Sequence, residues 1–268
     1  MYAGSQQGML YKWVAILTGS KNSLKGVGFF LGGTLLALLG FTGALLVMAA
    51  VLALIWLGSL VLLKKDLGKA KAKPKLRDML SKSRAINILS AARLFLFGAR
   101  DVWFVVALPV CFWQVGGFLA AWIIGYGIVQ YFAPSITGKK SGHLPDGRAA
   151  FSWALVLAGL PALIALGLTF GWSAQVVLLG GLMLFGVLFA VNSSLHSYLI
   201  VSYAKEDGVS LDVGFYYMSN ALGRLLGTLL SGWVFQEFGL EACLWISSGF
   251  VLLAALISIA LPRHQAPT

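Results

Sequence analysis

FTGALLVMAAVLALIWLGSLVLL, Phe41 to Leu63, runs for 23 residues without a charged side chain, and KKDLGKAKAKPKLRDMLSKSR, Lys64 to Arg84, follows it at once. The first stretch is long enough to cross a hydrocarbon core about 30 Å thick, which takes roughly 20 residues of helix. The second carries Lys64, Lys65, Lys69, Lys71, Lys73, Lys75, Arg77, Lys82 and Arg84 against Asp66 and Asp78. It contains Pro74 and few apolar residues, so it reads as a solvated linker. An apolar helix that ends on a dense positive segment is a membrane span whose flank stays in the cytoplasm. This stretch alone predicts an all-α integral membrane protein.

The rest of the chain extends that reading. Only 11% of its 268 residues are charged and 59% are hydrophobic, where a soluble domain carries about 25% charged residues. Mean hydropathy is +0.87. Apolar stretches of spanning length fall at about 13–39, 41–63, 85–110, 113–134, 149–170, 176–202, 213–236 and 242–261, which predicts a polytopic transmembrane helix bundle of about eight spans. They must be helices, because an open sheet would leave unpaired backbone groups in lipid. Gly40-Phe41-Thr42-Gly43, Gly171-Trp172-Ser173 and Phe238-Gly239 read as turns. From Val102 to Pro134 there is no charged break; Pro109 ends one helix, and the turn at Cys111-Phe112 is expected to be short.

Alternating the connectors places Lys12, the nine basic linker residues, Lys139, Lys140, Arg148, Lys205 and Arg263 on one side, and only Glu237 and Glu241 on the other. The positive-inside rule makes the basic side cytoplasmic. The expected location is therefore the cell (inner) membrane, multi-pass, with both termini in the cytoplasm.

Several function classes are disfavoured. The formal charge of +11 sits in short loops and not on a face interleaved with aromatics, so no nucleic-acid partner is expected. Cys111 and Cys243 lack metal or redox spacing and read as packing residues. Neither a cofactor nor a metal is expected. Met1 to Lys12 lacks the pattern of a removable signal peptide. A membrane enzyme would show paired acids or a His/Asp dyad; His143 with Asp146, beside Pro145 and Gly147, reads as a turn.

Five cations lie inside the spans: Lys21, Lys25, Arg93, Arg100 and Arg224, with Asp101 the one acid available to neutralise them. A Lys or Arg at a helix centre costs roughly 2.5–3.5 kcal/mol on insertion scales, so it faces a wet cavity or a partner. Lys21 and Lys25 share a helix face at four residues' spacing, and Arg93 and Arg100 share one at seven. The excess calls for an anionic counterpart, and a small-molecule oxyanion fits guanidinium and ammonium chemistry. The bland alternative is that some of these residues snorkel, cap helices or pair internally. Asn192 and His196, four apart, can face one cavity, and Tyr216, Asn220 and Arg224 form an i, i+4, i+8 stripe. A buried His is more often a packing residue than a ligand, and a Ser-rich helix in lipid more often bonds its neighbours. Gly223, Gly227 and Ser231, like Gly28 and Gly32, read as close-packing seams.

Longer runs carry a resemblance. Tyr11 to Asn22 (YKWVAILTGSKN), Lys82 to Phe104 (KSRAINILSAARLFLFGARDVWF), Asn192 to Tyr198 (NSSLHSY) and Asp207 to Met218 (DGVSLDVGFYYM) resemble the organoarsenical efflux permeases (ArsJ type) of the major facilitator superfamily. The resemblance covers about Gln6 to Arg263. It implies that the spans correspond to the fifth through twelfth of a twelve-helix transporter. Residues 1–63 would be the last two helices of the N-half, 64–84 the cytoplasmic linker and 85–268 the six-helix C-half. The chain would then be an N-terminally truncated member. The implied activity is secondary active export of 1-arseno-3-phosphoglycerate, giving arsenate resistance with a functional link to glyceraldehyde-3-phosphate dehydrogenase. Lys21, Lys25, Arg93, Arg100, Asn192, His196, Tyr216, Asn220 and Arg224 are the candidate substrate residues. Asp101, with His196 as alternative, is the candidate for coupling to protons. A truncated remnant that inserts without transporting, and an exporter of another organic phosphate anion, are the competing expectations.

Overall fold

A computed structural model of the chain describes residues 2–62, 83–105, 116–137, 145–204 and 209–263. Within them the protein forms α1 (Tyr2–Leu62), α2 (Arg84–Phe104), α3 (Gly116–Ile136), α4 (Gly147–Thr169), α5 (Ala174–Tyr203) and α6 (Val209–Ser258). Four of these, α1, α4, α5 and α6, are long and apolar enough to cross a membrane. α2 carries Arg93, Arg100 and Asp101 inside 21 residues and is less apolar. The architecture is all-helical and consistent with a helical membrane protein. Large apolar side chains such as Leu38, Leu54, Val61, Leu163 and Leu229 point outwards and are exposed, a surface that water would penalise and lipid would not.

Six helical segments form among the described residues, and two of them, α1 and α6, each break into two helices. The residues expected as two spans on either side of Gly40 make up α1, and those on either side of Gly239 make up α6. Both are interrupted at the expected turn glycine: Gly40 has φ 65°, ψ −179° and Gly239 has φ 79°, ψ −176°. α6 would run about 75 Å if straight at 1.5 Å per residue, and it does not run straight. Gly98 of α2 lies against both the Gly223 backbone and the Phe250 ring, so residues 223 and 250 sit at one level and the chain reverses between them. Gly239 is where it turns. Its positive φ is cheap only for a residue without Cβ.

Contacts fix the helix directions. α2 and α5 are antiparallel, since Arg93 meets Ser193, Phe97 meets Phe189 and Trp103 meets Phe185. α4 and α5 are also antiparallel, with Gly167 at Val177, Ile164 at Gly181 and Trp153 at Asn192. α3 runs with α5, through Trp122 to Leu182 and Tyr126 to Phe189. The first part of α1 runs against α3, through Tyr11 to Thr137 and Ser23 to Ile124. α2 and the first part of α6 are parallel, with Leu94 at Gly223 and Gly98 at Gly227. The second part of α6 returns antiparallel to α4, through Ser248 to Ala158 and Glu241 to Thr169. The starts of α2, α4 and α6 and the ends of α3 and α5 therefore lie at one end of the bundle.

The core between α2, α3 and α5 is aromatic. Phe185 and Phe189, one turn apart, stack at 5.5 Å, and Trp103, Phe97 and Tyr126 close on them at 5.2, 5.0 and 6.0 Å. Such pairs contribute roughly 0.5–1.5 kcal/mol each beyond burial. Trp122 completes the layer by donating its indole N–H to the Leu182 carbonyl at 2.9 Å. Asp146 caps α4, accepting from the backbone N–H of Arg148 and Ala149 at 2.9 and 3.3 Å, and Cys243 is buried. The linker residues 64–82, Cys111, Lys139, Lys140, His143 and Lys205 lie outside the described residues.

A Cβ at Gly227 would stand 2.5 Å from the Gly98 carbonyl oxygen and 3.0 Å from the Asp101 Cβ, whereas one at Gly28 or Gly232 would meet nothing within 4 Å. Gly227→Val is expected to cost about 1–3 kcal/mol through overpacking, and Gly232→Val to leave stability near that of the parent chain. Thermal unfolding of the detergent-solubilised protein, followed by size-exclusion recovery, checks the contrast.

Candidate functional site

The backbones of α2 and α6 meet at Gly98, Gly223 and Gly227 with no side chain between them. That approach brings side chains one turn away into direct contact. Asp101, buried at 0% exposure, accepts from two arginines. Its Oδ1 takes Nε and Nη2 of Arg100 at 2.6 and 2.5 Å, and its Oδ2 takes Nε of Arg224 at 3.0 Å. Arg100 is mostly covered, with its guanidinium near the Phe97 and Phe189 rings at 5.1 and 5.4 Å. Arg224 is half exposed, at 53%. Burying a carboxylate is affordable only with its charge matched and its lone pairs filled, and these two arginines supply both.

α1 brings its lysines to the same place. Its first part is held against α3, where Gly19 and Gly127 approach through their backbones. Asn22 donates to the Gln130 Oε1 at 2.5 Å, and Gln130 donates to the Tyr126 hydroxyl at 3.1 Å. This docking turns Lys21 towards α6, with Nζ 6.0 Å from the Tyr217 ring centroid. Lys25, one turn on, lies within the electrostatic reach of Lys21, Arg224 and Arg100. Both lysines are exposed. Lys25 of α1 thus lies within electrostatic reach of Arg100 on α2 and Arg224 on α6, with Lys21 one turn before it, and Asp101 is the one carboxylate paired with these arginines among the described residues.

Arg93 belongs to a different environment. It is 4% exposed, with its guanidinium 3.8 Å from the Phe97 ring centroid and 4.9 Å from that of Tyr216. Its Nε donates to the Asn220 Oδ1 and its Nη1 to the Ser193 carbonyl, both at 3.3 Å. It joins α2, α5 and α6, and the stripe of Tyr216, Asn220 and Arg224 divides between the two arginine centres. Asn192 and His196 make no hydrogen bond to either one. The Asn192 amide donates to the Trp153 and Leu188 carbonyls, so it faces α4. His196 is fully buried, with neither ring nitrogen hydrogen-bonded.

Gln130 and Tyr126 were not among the sequence candidates. A Gln inside an apolar span was the available signal, since a buried amide in lipid needs a partner. A cleft of about 620 Å³ opens beside Trp172, Gln175, Phe238 and Glu241 at the opposite end from the start of α2. None of the five cations lines it. No family model, no curated protein and no solved structure matches the chain.

Because Arg93 uses its planar fork for two hydrogen bonds and two ring faces, Lys cannot replace it. Arg93→Lys is expected to destabilise by about 1–3 kcal/mol, the worth of buried groups left without partners. Asn220→Ala, which removes one of those partners, should be milder. Melting temperatures of the purified variants test this order.

Proposed function

We propose that the chain is a membrane-embedded secondary transporter of the major facilitator type that exports an anionic, phosphate-like small molecule, with 1-arseno-3-phosphoglycerate as substrate. One observation carries the reading: Lys25 lies within electrostatic reach of Lys21, Arg100 and Arg224, and Asp101 is the single carboxylate paired with these arginines among the described residues, so the cleft we infer between α1, α2 and α6 is rich in cations. Unneutralised cations within apolar helices are costly, and a dianionic ester offsets that cost when bound. Guanidinium groups match tetrahedral oxyanions through paired N–H edges, and ammonium groups add charge without directional demand. The resemblance of the Tyr11–Asn22 and Lys82–Phe104 runs to organoarsenical permeases supplies the arsenic ester, which charge alone does not select.

In this reading α1 is two spans about Gly40 and α6 two spans about Gly239, which with the other four gives eight. The bundle end holding the starts of α2 and α4 carries Arg84 and Arg148, and the opposite end carries Glu237 and Glu241. The basic end is then cytoplasmic. Arg93 holds α2, α5 and α6 together beneath the substrate. A coupling proton has two candidate seats, Asp101 and His196. The same cleft chemistry also accepts another organic phosphate, and that reading differs only in the ester bound.

Cysteine labelling tests the orientation. In a chain with Cys111 and Cys243 replaced by Ala, Ser173→Cys is expected to react with an impermeant maleimide on intact cells, and Arg148→Cys only after permeabilisation. The reverse pattern would overturn the topology.

Growth and cellular arsenic in an arsenate-sensitive host that also expresses glyceraldehyde-3-phosphate dehydrogenase test the substrate. Any resistance that the parent chain confers is expected to persist with Arg148→Ala, which is exposed at the start of α4, and to be lost with Arg224→Ala. Equal resistance for the two variants at matched abundance would remove Arg224 from the site. Absence of resistance together with efflux of 3-phosphoglycerate from vesicles would favour another phosphate ester. Absence of both would favour a chain that inserts without transporting.

A further inference from the structure

The two arginines on Asp101 are held unequally, and the inequality has a functional meaning. Arg100 is its chain neighbour on α2, contributes two contacts at 2.5 and 2.6 Å, and is largely covered. Arg224 comes from α6, contributes one contact at 3.0 Å, and is 53% exposed, within electrostatic reach of Lys25. We propose that Asp101 is a resident counter-ion that competes with the substrate anion for Arg224, and so sets the affinity of the cleft. The inference rests on the anion-transport reading above.

The exchange is physically balanced because Asp101 never loses both partners. When an oxyanion captures the Arg224 guanidinium, Arg100 still neutralises the carboxylate through Oδ1. Leaving a buried carboxylate wholly unpaired would be strongly unfavourable, and the second arginine removes that barrier. The bound anion in turn gains Arg224, whose paired N–H edge it can engage, together with Lys25 and Lys21. Helix separation is not required. α2 and α6 remain in backbone contact at Gly98, Gly223 and Gly227, and the long Arg224 side chain moves by rotamer changes alone.

An exporter benefits from such a competitor. A cleft of uncompensated cations would bind a polyanion and hold it, whereas an internal carboxylate that recaptures Arg224 limits the affinity and assists release. The alternative role for Asp101 is positioning, in which it holds Arg224 ready for substrate. The two roles differ in sign. Removing a competitor tightens anion binding; removing a positioning group weakens it.

The test is calorimetric titration of the detergent-purified full chain with inorganic phosphate and with 3-phosphoglycerate, for the parent and Asp101→Asn. Melting temperatures are measured with and without phosphate. Asp101→Asn is expected to bind 3-phosphoglycerate about tenfold more tightly and to gain more thermal stability from phosphate than the parent does. Arg224→Gln introduced into that variant is expected to abolish the gain. It also relieves the unneutralised charge, so it serves as the folded control if the single variant is unstable.

Binding by the parent with equal or weaker binding by Asp101→Asn would overturn the counter-ion role and leave the transport reading intact. Binding by Asp101→Asn alone would support the counter-ion role and count against a transported anion. Absence of binding and of stabilisation in both would overturn both. A gain that persists after Arg224→Gln would overturn the assignment of Arg224 as the contested group.

Discussion

The backbone contact between α2 and α6 is the constraint on which the rest of the arrangement depends. Gly98, Gly223 and Gly227 leave no side chain between the two helices, so residues on either side of the contact meet at hydrogen-bonding distance. Within lipid, helices gain little from apolar association, and close packing of small residues is what holds them together. Here that packing also selects the electrostatics. Only because α6 sits so close can Arg224 reach an aspartate buried on α2.

Two arginine centres with opposite characters follow from it. Arg93 is enclosed by Phe97 and Tyr216 and spends its donors on Asn220 and the Ser193 carbonyl. A guanidinium so enclosed is a structural tie, tolerable in an apolar bundle because aromatic faces and carbonyl oxygens replace water. Arg224 is paired on one edge and open on the other. The difference arises from position along α6. Asn220, one turn before Arg224, is the group that meets Arg93, so Arg224 itself is left to meet Asp101 with its other edge exposed.

α1 contributes the remaining charges by a separate route. Its glycine contact with α3 and the Asn22–Gln130–Tyr126 relay fix its rotation, which presents Lys21 and Lys25 to α6. The relay is made of neutral groups, so it secures the helix without adding charge beside the lysines. Beyond Gly40 the same helix shows mostly exposed apolar side chains, and its chemistry there is that of a hydrocarbon-facing surface.

The apolar runs and the scarcity of charge were sufficient to specify helices, since a continuous apolar run of about 20 residues satisfies its own backbone hydrogen bonds in lipid as a helix, whereas barrel strands are shorter and alternate. The turn at Gly239 was legible for a similar local reason: two apolar stretches, 213–236 and 242–261, flank a short segment that holds Glu237, Gly239 and Glu241, and glycine is free to take positive φ. The five intramembrane cations were equally visible, as was Asp101, because charge in such a context is conspicuous. Their partition was not. The spacing of Asn192 and His196 suggested a shared cavity, yet one faces α4 and the other is enclosed in the core. Gln130 and Tyr126 gave only a faint signal. Which arginine is buried, which is shared with Asp101 and which opens to the cleft depends on the relative rotation and depth of neighbouring helices. Those are set by contacts between residues roughly a hundred or more positions apart, such as Arg93 with Asn220 and Asp101 with Arg224, and a periodic pattern along one helix carries no information about them.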